Sequence, residues 1–83
     1  MRVKPKEVLL TLPAVRLFTQ ENQEAEWAAV LNEFLHGKVR VKYECLGKLG
    51  GQYAVLFYLQ RNNEFSELRE EFMELILQEE MNQ

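Results

Sequence analysis

Few side chains in this chain could do covalent or acid–base chemistry: one thiol (Cys45), one imidazole (His36) and the hydroxyls of Ser66, Thr11 and Thr19. A nucleophile needs a base within reach, and His36 is the single imidazole available. Nothing in the spacing brings His36 to Cys45. The thiol falls in an alternating segment, on one face with Val39, Val41 and Tyr43, where it is expected to pack as a small hydrophobe. His36 falls at the end of a helical pattern, where the helix dipole favours its charged form and a capping role. All 13 acidic residues are Glu, which removes the EF-hand loop and every catalytic signature that depends on Asp. Glu70, Glu71 and Glu74 share one helical turn, the beginning of a metal or acid–base site. No His joins them, and a solvated helix face produces the same spacing. One Cys and one His cannot supply a four-ligand zinc site. The sequence therefore leads us to expect no catalytic residue, no metal and no cofactor, and a protein that is not an enzyme.

The glycines at 47–51 do not change this. GKLGG lacks the GxxxxGK[ST] of a phosphate loop and joins two strand patterns instead of a strand and a helix. Residues 47–50 also spell the GXXG of KH domains, which the segment resembles in its basic middle residue. In that family the loop lies between helices, so the context differs.

The elements that must position these groups are legible from periodicity. A chain of 83 residues and 9.8 kDa, 47% apolar and 28% charged, is expected to form one folded domain. Residues 1–6 read as a basic lead-in. Residues 8–12 read as a strand, and 15–18 as a short second strand, a continuation after Pro13, or a helix start. Residues 21–36 read as a helix, with Trp27, Val30, Leu31, Phe34 and Leu35 on one stripe, Thr19 or Asn22 as cap, and His36-Gly37 as its end. Residues 39–45 alternate as a half-buried strand, 47–51 turn, and 53–59 (YAVLFYL) read as a central strand, apolar on both faces. Asn63 is placed to cap a second amphipathic helix that carries Phe65, Leu68, Phe72, Leu75 and Ile76 to about residue 80. The expected architecture is α+β: a small two-layer domain of order β-(β)-α-β-β-α. Its largely antiparallel sheet has three to four strands, and both helices lie on one face. By analogy of order it is similar to a ferredoxin-like split β-α-β without its last strand.

The charge is unevenly spread. The net value of −3 hides Glu21, Glu24, Glu26 and Glu33 on the first helix, and seven glutamates against Arg69 on the second. The other nine bases lie outside the helices. With both helices on one sheet face, the opposite face would be basic and open. A strand that is apolar on both sides then leaves an exposed patch, the usual mark of an interface. The reading that follows is a non-enzymatic protein-interaction module. It self-associates, or binds another protein, through Leu56 and Tyr58 on the open face and Met73 and Leu77 on the last helix. The competing reading is a single-stranded RNA or DNA binder in which Arg40, Lys42 and Lys48 neutralise phosphates and a strand aromatic stacks a base, Tyr58 beside Leu56 or, with the other face outward, Tyr53 and Phe57. Arg2, Lys4 and Lys6 ahead of 8–12 have the outline of a secretory signal. Pro13 and Arg16 break it, and no cleavage site follows. No apolar run nears the ~18–20 residues of a membrane span, and with a lone thiol the expected location is the cytoplasm.

Overall fold

A computed structural model describes residues 5–35 and 39–82, residues 5 and 6 by backbone alone. The chain begins with a helix where the pattern suggested a strand. Pro5, whose fixed φ suits the first helical position, opens α1 (Pro5–Leu10). Val8, Leu9 and Leu12 fit one helical flank as well as they fit a strand, and a short apolar run does not distinguish the two. Val8 is buried, and the Thr11 hydroxyl and amide both donate to its carbonyl, at 2.8 and 3.0 Å, closing the turn. The Leu12–Pro13 peptide is cis, and Pro13 leads into β1 (Ala14–Phe18).

Helix α2 (Gln23–Glu33) is shorter than its apolar stripe implied. Its N-cap is Asn22, in the left-handed region at φ 71° and without a side-chain cap bond. The expected end at His36-Gly37 lies outside the described residues. Strands β2 (Lys42–Leu49) and β3 (Gln52–Tyr58) form a tighter hairpin than expected. Gly50 and Gly51, at φ 60° and 79°, make a two-residue turn of the kind that matches strand twist. Gly47 is not in that turn. It sits in an irregularity of β2 opposite Ala54, at φ 145°, where a Cβ would stand 3.3 Å from Ile76 Cγ2. Helix α3 (Asn63–Met81) is capped by Asn62, one residue earlier than expected, whose Oδ1 accepts from the Phe65 amide at 3.0 Å.

The open, three-stranded sheet is antiparallel in the order β1-β3-β2. The register separates its two faces. On one, Val55 and Phe57 pack with Val8, Phe18, Ala28, Leu31 and Val41, so α1 and α2 cover that side. On the other, Ala54, Leu56 and Tyr58 pack with Leu46, Phe65 and Ile76 beneath α3. The expectation that both long helices share one face is therefore corrected. The molecule has three layers, with β3 buried on both sides. The cause is YAVLFYL itself: a central strand apolar in both directions is stabilised by a helix on each face, and neither side of β3 is left open. The charges follow. Acidic helices cover both broad faces, and the expected contrast between an acidic helical side and a basic sheet side is absent.

Candidate functional site: the two ends of the molecule

The residues proposed from sequence are dispersed by this layering. Leu56 is fully buried and Tyr58 is 4% exposed, both beneath α3. The Tyr58 ring lies 4.4 Å from that of Phe65, and its hydroxyl accepts from the Arg61 guanidinium at 3.3 and 3.4 Å. That hydrogen bond is the main cause of an Arg61 pKa raised above the ordinary arginine value. Neither Leu56 nor Tyr58 can be an interface residue, and Tyr58 cannot stack a base. Met73 packs partly buried against the same cluster, whereas Leu77 projects outward. Of the basic trio, Arg40 and Lys42 come together at one end of the sheet, but Lys48 lies at the other, its ammonium 4.9 Å from the Tyr53 ring centre.

Chemistry-bearing groups stay apart as well. Cys45 is exposed, contrary to the expected packing, because α2 leaves the β2 side of its face uncovered. It opens into a hollow of about 230 Å³ lined by Glu21, Asn22, Glu24 and Tyr53. Two carboxylates are the opposite of the electropositive setting that activates a thiol. Among the described residues, no group of three His, Cys, Asp or Glu could hold a metal ion, and no helix is long and apolar enough to cross a membrane.

Two surfaces combine exposed apolar side chains with charge of one sign. The first is a cleft of about 410 Å³ lined by Val39, Arg40, Lys42, Leu59 and Gln60, where the end of β3 meets the start of β2. Its floor is apolar and its charges are both positive. Among the described residues, no ion pair engages Arg40 or Lys42. The nearby Glu44 is taken by Arg69 at 2.7 Å and faces Arg61 at 3.8 Å. Sequence alternation identified Arg40 and Lys42, but Val39 and Leu59 were assigned to the core.

The second surface is the outer side of α3 toward its C-terminus. At 100° per residue, Glu70, Met73, Glu74, Leu77, Glu80 and Met81 fall on one stripe. Leu77 is 55% and Met81 75% exposed, and Glu74 and Glu80 flank them in solvent. The last turn carries no basic residue, so the negative end of the helix dipole adds to the glutamates. The Gly50 amide donates to the Glu79 carboxylate at 2.8 and 3.0 Å, which fastens this end of α3 to the β2–β3 turn. The cleft and the Leu77–Met81 end of α3 thus sit at opposite ends of the β2–β3 hairpin.

No protein family, curated protein or solved structure matches this chain.

Proposed function

We propose that this protein is a non-enzymatic interaction module of the cytoplasm that self-associates, with the outer stripe of α3 as its working contact. The observation that carries this reading is the exposure of Leu77 and Met81, two large apolar side chains one helical turn apart and rimmed by glutamates. Neighbouring exposed apolar groups with a charged rim have the composition of a contact surface. The contact is made by side chains and not by strand pairing, because both sheet edges are blunted. Lys42, Glu44 and Lys48 and a register irregularity interrupt β2, and β1 has only five residues. A lone thiol supports the reducing compartment. For the nucleic-acid reading, Arg40 and Lys42 share the cleft, Tyr58 is buried, and Lys48 lies at the other end of the sheet beside the half-buried Tyr53.

Light scattering on the wild type and on the Leu77→Lys/Met81→Lys variant tests the reading. The wild type should exceed the monomer mass at tens of micromolar. The variant should fall to it with an unchanged far-ultraviolet circular dichroism spectrum, both positions being exposed. An equal mass for the two proteins counts against α3 as the contact.

A further inference from the structure

We propose that the basic cleft of one copy receives the Leu77–Met81 end of α3 from a second copy, so that the chain associates head to tail. This rests on the self-association reading above and adds the receptor surface and the geometry.

The two surfaces match in kind. The cleft offers apolar walls, Leu59 and the 53%-exposed Val39, beneath two cations. The end of α3 offers Leu77 and Met81 between Glu74 and Glu80, with a helix dipole of the same negative sign behind them. Within one chain, Arg40 and Lys42 on one side and Glu74 and Glu80 on the other form no ion pair with described residues. The cleft and this end of α3 lie at opposite ends of the β2–β3 hairpin, so the match can be made only between copies.

Charge also decides against the symmetric alternative. Packing the α3 stripe of one copy on the same stripe of another would set Glu70, Glu74 and Glu80 against their counterparts, and like charges facing each other are strongly unfavourable. A heterologous contact brings opposite charges together instead. Because each copy has one cleft and one α3 end, two copies can satisfy both contacts reciprocally, and where they do not the association continues into a ring or an open chain.

Sedimentation velocity over a concentration series, with three charge variants, tests this. The wild type should sediment above the monomer at low salt and shrink towards it at high salt. Arg40→Glu/Lys42→Glu and Glu74→Lys/Glu80→Lys should each associate at least about tenfold more weakly, since each gives both ends the same sign. Mixing these two variants should restore association, as should a single chain carrying all four changes. All four positions are exposed, and circular dichroism on each variant confirms the fold before the comparison. Full association of Arg40→Glu/Lys42→Glu on its own would overturn the head-to-tail contact while leaving self-association standing. A mixture that stays monomeric would likewise overturn it. A wild type that is monomeric at every concentration would overturn both.

Discussion

At the scale of single residues, the most consequential polar group is Asn32. Its Oδ1 accepts from the Val41 amide at 2.7 Å and its Nδ2 donates to the Val41 carbonyl at 3.3 Å. One side chain on α2 thereby satisfies both backbone groups of a buried residue just ahead of β2, as a neighbouring strand would. Periodicity cannot reveal this, because Asn32 lies on the edge of the helical stripe and reads as an ordinary polar position. Asn32→Ala removes both partners at once and should cost about 1–3 kcal/mol. The loss should show as a lower urea midpoint with an unchanged m-value. Asn32→Asp keeps the acceptor and loses the donor, and should fall between the two. An unmoved midpoint for the alanine variant would mean that water replaces the side chain at no cost.

At the scale of elements, the hairpin and the last helix were readable, because each has a long pattern of one period with a capping or turn signal at its end. What failed was short or depended on partners. Residues 5–12 give too few apolar positions to separate helix from strand, and docking of Val8 against α2 decides the matter. The faces of the sheet failed for another reason. Periodicity states that β3 is apolar on both sides, but whether helix or solvent covers each side is a property of the assembled layers. Hence Leu56 and Tyr58 read as surface although they belong to the core, while the exposure of Arg40, Lys42 and Leu77 is legible because charge and helical phase are local facts. Met81 lies one residue beyond the end that periodicity gives the helix. The three-layer arrangement makes a sharp distinction here. Leu56→Glu would bury a carboxylate beneath α3 and opposite Glu44, at a site with no exposure. Its cost, of several kcal/mol, is comparable with the ~5–15 kcal/mol of a whole domain. Leu56→Glu should therefore lose its cooperative thermal transition, while Leu77→Glu keeps it. A folded Leu56→Glu would mean that the face beneath α3 is open after all.

At the scale of the whole molecule, the two half-cores are joined through the sheet, above all through β3, while β1 gives Phe18 to one and Val15 to the other. The cluster under α1 and α2 uses Val55 and Phe57, and the cluster under α3 uses Ala54, Leu56 and Tyr58 from the same strand. Neither helical layer can leave without uncovering one side of the central strand, so the layers should fold as one unit. The single tryptophan makes this testable, because it reports from one layer only: Trp27 lies 5.3 Å from the Phe18 ring centre and 6.1 Å from that of Phe57. Ile76→Ala removes buried methyl groups from the other layer and should cost about 2–5 kcal/mol. For a domain of this size, each kcal/mol lowers Tm by roughly 4–8 °C. The fluorescence transition of Trp27 and the circular dichroism transition should fall together and remain coincident. If fluorescence kept its wild-type midpoint while the helical signal melted early, α3 would be detaching alone. The C-terminal contact surface would then belong to a layer able to separate from the rest of the protein.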